Sequence, residues 1–147
     1  RLAQLGAQLL VETIPDYVAG KLTPLAQPAE GASYARKISK DDGRIDWTQS
    51  AQILQNRIRA FTPWPGASTQ VCASGKARLL KIWQAEVVDC AEGEPGEIRQ
   101  ANQNGLVVRC GEGALKILQL QLEGGRRLHT SEFLRGHPLA IGEKLGS

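Results

Sequence analysis

With 147 residues, of which 41% are hydrophobic and 22% charged, the chain can bury one ordinary core and is neither disordered nor fibrous. Its apolar runs fall short of the roughly 18 residues of a membrane span, and no basic stretch followed by a hydrophobic one marks a signal peptide. Cys72, Cys90 and Cys110 are too few and too widely spaced for a disulfide framework or a zinc site, so reduced, mostly buried thiols in a cytoplasmic protein are expected. The net charge of +3 arises entirely in residues 44–147, where thirteen Lys and Arg oppose ten Asp and Glu. That surplus is compatible with a polyanionic partner and equally with a solvated surface.

The chain opens on Arg1 and contains no Met, which predicts a cut or processed N-terminus. Leu2, Leu5, Leu9, Leu10, Ile14, Tyr17 and Val18 recur at helical spacing up to Gly20 and Pro24, predicting an amphipathic helix with a C′ glycine over residues 1–21. Pro15 predicts a kink or a break in it. The helix carries one apolar stripe and is expected to cover something outside this chain. Residues 22–43 hold Pro24, Pro28, Gly31 and Gly43 without a sustained period and read as a linker. From residue 44 to 147 the pattern is that of a small domain. Ser50 caps a helix whose stripe is Ala51, Leu54, Ile58 and Phe61 and which Pro63 stops.

Beyond Pro63-Trp64-Pro65-Gly66 come short runs expected to be five strands: Ser68 to Cys72, Ala77 to Val88, Glu97 to Ala101, Leu106 to Cys110, and Leu115 to Leu122. Ser74-Gly75-Lys76, Pro95-Gly96, Asn104-Gly105, Gly111-Glu112-Gly113 and Gly124-Gly125 supply the turns. Leu118, Leu120 and Leu122 alternate with Gln119 and Gln121, giving one buried and one wet face. The phase slips near Ile82-Trp83, which predicts a bulge or a strand buried on both sides. Five strands in so short a stretch leave open edges unless they curl. The expected architecture is therefore mainly β: a small, partly open Greek-key barrel of the oligonucleotide-binding type, preceded by a helix. A short C-terminal helix capped by Thr130 or Ser131 and stopped at Gly136 would plug one end.

A reaction centre needs a nucleophile or base, an orienting partner and a group that stabilises developing charge. His129 and His137 lie in no metal-binding spacing, Asp41-Asp42 stands in a polar linker beside Lys40 and reads as solvated, and Gly111-Glu112-Gly113 lacks the lysine and helix of a phosphate loop. No catalytic, metal or cofactor-binding residue is assigned. The basic residues form better constellations, with Arg57 and Arg59 on the helix before Trp64, Arg78 and Lys81 on a long strand with Trp83, and Arg126-Arg127 after Gly124-Gly125. Arginine forks and aromatics on a barrel face suit a polynucleotide, although Trp47, Trp64 and Trp83 are first expected in the core.

The chain resembles the C-terminal part of the methionyl-tRNA formyltransferase family. The resemblance rests on Leu5-Gly6-Ala7 with Leu9-Leu10, Gln27-Pro28, the run from Ala32 to Lys40, and Ile45-Asp46-Trp47. Its most diagnostic stretch is Ile58-Arg59-Ala60-Phe61-Thr62-Pro63-Trp64-Pro65-Gly66-Ala67. Lys81-Ile82-Trp83 with Ala85, Pro95-Gly96-Glu97-Ile98, Leu120-Gln121 with Gly125-Arg126-Arg127, Phe133-Leu134 with Gly136, and Gly142-Glu143 with Leu145 follow in order. The resemblance implies an enzyme of translation initiation that moves a formyl group from 10-formyltetrahydrofolate to the amino group of methionyl initiator tRNA. It implies that the catalytic Asn, His and Asp and the folate pocket belong to an N-terminal domain acting in cis, of which residues 1–21 are the last helix. The present chain would then hold the tRNA without catalysing, as a monomer away from membranes. The candidate tRNA contacts are Arg57, Arg59, Lys81, Arg126 and Arg127, extended along the linker by Lys37 and Lys40. The same C-terminal module resembles those of enzymes acting on nucleotide-linked amino sugars and of formyltetrahydrofolate dehydrogenase, and a structural docking role is the third alternative. His129-Thr130-Ser131 with Arg135-Gly136 is superficially similar to the family's catalytic His-Pro-Ser and Arg-Gly signature but lies at the wrong end of the chain.

Overall fold

The computed structural model describes residues 1–73, 75–89 and 92–146, so Ser74 of the first expected turn and Cys90 lie outside the described residues. The chain divides into two compact units, Arg1–Arg36 and Lys37–Ser147. In the first, α1 (Leu2–Val18) is one continuous helix with Pro15 inside it, so of the kink or break expected at Pro15 the break does not occur. Gly20, at φ 70°, ends it by donating to Tyr17 O while Lys21 donates to Asp16 O, the paired bonds of a Schellman cap. No residue of α1 is buried, and Leu2, Leu5, Leu9, Leu10 and Ile14 are all exposed.

The second unit begins with a 3₁₀ turn at Lys40–Gly43. Asp41 is exposed, and the half-buried Asp42 caps the turn, its carboxylate accepting from Ser39 N at 2.7 Å and Ser39 Oγ at 3.0 Å. Helix α2 (Ala51–Ala60) starts where Ser50 Oγ accepts from Ile53 N at 3.4 Å, and it buries Ala51, Leu54 and Ile58 as its spacing predicts.

Among the described residues six antiparallel strands follow: β1 (Ala67–Ala73), β2 (Lys76–Val88), β3 (Ile98–Asn102), β4 (Gly105–Arg109), β5 (Ala114–Leu122) and β6 (Leu128–His129). They are ordered β1-β2-β5-β4-β3, with β6 on β5. The three hairpin-linked strands β3, β4 and β5, with β2 returning beside β5, make a Greek key. The two-residue β6 is a sixth strand the sequence does not announce, because alternation cannot register in so short a segment.

The expected bulge is present. Between Ile82 and Ala85 the β2–β5 register shifts twice, so that Trp83 has no partner residue on β5. The inward face of β5 changes phase opposite it, from Leu115 and Ile117 to Leu120 and Leu122. Leu118 sits at the change and is half-buried rather than a full member of the buried row. Each strand thus carries one residue without a partner, Trp83 on β2 and Leu118 on β5, and both buried rows change phase together, so the wall is distorted without exposing either apolar set.

Pairing leaves β1 and β3 as the unjoined ends of the sheet. A C-terminal strap spans them: Gly142 N donates to Ile98 O, Ile98 N to Glu143 O, Leu145 N to Gly96 O and Gly146 N to Gln70 O, at 2.8–2.9 Å. Leu145 enters the core from this strap, and Phe133 enters it from α3 (Thr130–Gly136). Neither expected hydroxyl caps α3. His129 is the N-cap residue, and Thr130 Oγ1 donates instead to Ile117 O at 2.6 Å, because the buried hydroxyl must satisfy itself against β5. The thiols divide as well, with Cys110 buried and Cys72 exposed.

Two carboxylates of this unit are held below their ordinary range. Asp46 accepts from the Thr48 hydroxyl at 2.7 Å and the Thr48 amide at 3.1 Å, and Glu97 accepts from the Glu94 amide and from Arg99. A carboxylate depressed in the folded state contributes stability above its unfolded pKa, and that contribution is lost as the pH falls through the folded value. Stability should therefore decline below about pH 4. Asp46→Asn should give a lower but flatter profile there, measured as urea midpoints at a series of acidic pH values.

Candidate nucleic-acid interface

Along β2 the core takes Leu80, Ile82 and Ala85, which turns Lys81, Trp83 and Gln84 to the outer wall. Register then aligns four residues across the sheet. Arg44 bridges Ser68, Ser68 pairs with Lys81, and Lys81 pairs with Gln121. At about 4.8 Å per strand this row spans about 14 Å.

Trp83 is the fixed point of the surface. Its Nε1 donates to Gln121 Oε1 at 3.1 Å, and Gln121 Nε2 donates to Gly125 O at 2.7 Å. The second bond holds the turn after β5, so that the chain emerging from it sets the Arg127 guanidinium 4.9 Å from the Trp83 ring centre. A cation at that distance over an indole face is attracted by the ring quadrupole while its outer N–H groups stay available. Helix α2 brings Arg59, which lines a cleft of about 450 Å³ with Thr62, Trp83 and Gln84; Glu86 is the one carboxylate among the described lining residues. Arg59 is braced on its own helix by Asn56 Oδ1 at 3.1 Å.

Three of the seven candidate contacts, Arg59, Lys81 and Arg127, are thus gathered around one tryptophan. The others stand apart. Arg57 donates to Asp42 O at 2.8 Å and lies 5.5 Å from the Phe61 ring centre, pinning α2 to the 3₁₀ turn. Arg126 turns away from its neighbour and pairs with Glu132 at 2.5 Å. Lys40 lines a second cleft of about 360 Å³ together with Arg44, Ser68 and Leu79, and Lys37 lies in exposed chain ahead of the 3₁₀ turn.

Of the tryptophans, only Trp47 is a core residue. Trp83 is half-buried beneath Arg127, and Trp64 is 60% exposed on the Pro63–Pro65 loop, contrary to the expectation that all three go inside. Arg44 is the residue that sequence reasoning missed. Its signal was the alternation in Arg44-Ile45-Asp46-Trp47, where Ile45 and Trp47 are buried and the other two exposed.

Among the described residues no three His, Cys, Asp or Glu gather as metal ligands, and neither histidine bonds a carboxylate. The arrangement is one of cations and amides around an aromatic face, which suits holding an anionic polymer.

Comparison with known proteins gives this Greek-key domain a family. The profile of the formyl transferase C-terminal domain family matches residues 37–138, and the chain belongs to that family. It is 46% identical over 146 residues to the methionyl-tRNA formyltransferase of Dechloromonas aromatica (strain RCB), covering 98% of this chain and 44% of that protein. It is 45% identical over 144 residues to that of Myxococcus xanthus (strain DK1622), covering 98% and 45%. The chain therefore spans less than half the length of these relatives. Among solved structures, HypX from Aquifex aeolicus, determined in complex with tetrahydrofolic acid, superposes with a TM-score of 0.55 at 20% identity, covering 95% of this chain and 26% of that one, a likeness of fold alone.

Proposed function

We propose that the barrel is the tRNA grip of a methionyl-tRNA formyltransferase, holding methionyl initiator tRNA while a preceding catalytic domain, in cis, transfers the formyl group. The observation that carries this reading is the gathering of Arg59, Lys81 and Arg127 around Trp83, in a chain whose relatives bear that enzyme's name. Such a face grips phosphates by charge and offers an indole edge to a base or sugar. Phosphate contacts position an RNA without reading its sequence, leaving discrimination to the other domain. Arg44 and Lys40, which share a cleft with Ser68 of β1, would continue the positive track, and Lys37, exposed ahead of them in the chain, would extend it. The exposed apolar stripe of α1 is the surface on which that catalytic domain would pack.

The formyl donor, 10-formyltetrahydrofolate, would supply the transferred carbon. The residues present do not fit it: the clefts lie open on the barrel wall, and no histidine–carboxylate pair among the described residues stands in one. No step of the transfer is assigned to this chain. The reading carries with it a cytoplasmic monomer, and no described helix is long and apolar enough to cross a membrane.

An electrophoretic shift assay separates this role from that of a module serving nucleotide-linked sugars. The chain should retard tRNA, initiator and elongator alike, with affinity falling steeply as salt rises. Titration with a nucleotide sugar should leave the complex intact. Retention of a nucleotide sugar with no tRNA shift would transfer the domain to the other class of formyltransferase.

A further inference from the structure

A further cleft, of about 370 Å³, shares Gln84 with the Arg59–Trp83 cleft, so the two adjoin at the β2 bulge. Its chemistry differs. Instead of arginines it presents the carboxamides of Gln84, Gln103 and Asn104, the hydroxyl of Ser131 and the imidazole of His129, with Lys116 as the cation and no carboxylate among the described residues of its lining. The amide, imidazole and Ser131 side chains make no hydrogen bond to another described residue, so their capacity is directed outward. Thr130, also at the rim, is already spent on Ile117 O.

The floor is apolar, formed by the fully buried Ile117 and the half-buried Leu118. Lys116 lies close along the edge, where a Cβ on Gly105 would stand 3.1 Å from its Cε. Carboxamides and hydroxyls both donate and accept, which suits a ribose hydroxyl better than a phosphate, an acceptor only. An A-form helix whose phosphates rest on a cationic surface turns toward the adjoining surface a shallow groove lined with 2′-hydroxyls.

Resting on the tRNA-grip reading, we propose that this amide-lined cleft reads the ribose, with Gln84, Gln103 and Ser131 exchanging hydrogen bonds with 2′-hydroxyls beside a phosphate held by Lys116. The bulge gives Gln84 its place between the two sites, and the barrel wall thereby distinguishes RNA from other polyanions without reading base sequence.

The test titrates the chain with an RNA hairpin and with the same hairpin carrying 2′-fluoro riboses, which keeps the A-form while removing the hydroxyl donor. The unmodified RNA should bind about tenfold more tightly, the size of one or two hydrogen bonds. The triple variant Gln84→Ala, Gln103→Ala, Ser131→Ala should bind both hairpins alike, with the salt dependence and the thermal melt of the parent. Equal binding of the two hairpins by the parent, or a difference retained in the variant, would overturn the ribose reading and leave the grip standing. Failure of both hairpins to bind would overturn the grip, and the ribose reading with it.

Discussion

Replacing Trp47 with alanine is expected to cost the barrel about 3–5 kcal/mol, the range for removing a buried large aromatic, and so to remove much of a small domain's stability. Trp47 is 5% exposed, and its ring joins parts of the fold that no strand pairing connects. Its Nε1 donates to Thr69 Oγ1 of β1 at 3.0 Å, both groups being buried. Its backbone carbonyl accepts from Gly111 N at 2.9 Å, fixing the turn before β5. Gly96, ahead of β3, and Gly146, in the strap, lie against the ring so closely that a Cβ on either would come within 3.5 Å of its Cδ1. Truncation would leave a cavity where strap, β1 and the approach to β3 meet and would strand the Thr69 hydroxyl. Trp47→Phe should recover most of the packing but not the hydrogen bond. Urea unfolding of the three proteins measures both contributions.

The second large effect concerns binding. The triple variant Arg59→Ala, Lys81→Ala, Arg127→Ala should lose about a hundredfold in tRNA affinity at low salt and flatten the log–log salt dependence by about 2.7, the value for three phosphate contacts. All three side chains lie on the outer wall, so the thermal midpoint should hardly move. Arg57→Ala makes the contrast. Its guanidinium serves the Asp42 carbonyl, so its loss should lower stability by about 1–2 kcal/mol while leaving the salt slope alone. Arg126→Ala should alter the slope less than Arg127→Ala, since Glu132 already neutralises Arg126.

How much of this is legible in the chain follows from the range of each interaction. Helix α2, the Ser50 cap, the Gly20 terminus of α1 and the bulge at Ile82–Trp83 are written in neighbouring residues, and spacing recovers them. The family, too, lies in contiguous motifs. What spacing does not recover depends on contacts distant along the chain. The strap of residues 142–146 has no alternation to mark it as a partner of β1 and β3, and Thr130 serves a carbonyl of β5 because the fold buries it there. The basic pair Arg126-Arg127 is indivisible in sequence, yet Glu132 and Trp83 separate its members. Composition likewise assigns all three tryptophans to a core that has room for Trp47 alone.

That a tRNA lies on the face organised by Trp83 can be read from three resonances. The indole N–H signals of a ¹⁵N-labelled chain report separately on Trp47 in the core, Trp64 on its loop and Trp83 beneath Arg127. Titration with tRNA should shift or broaden the Trp83 indole first and leave that of Trp47 unchanged, and raised salt should reverse the effect. A tRNA that binds while the Trp83 signal stays fixed would contradict the assignment of this face as the grip.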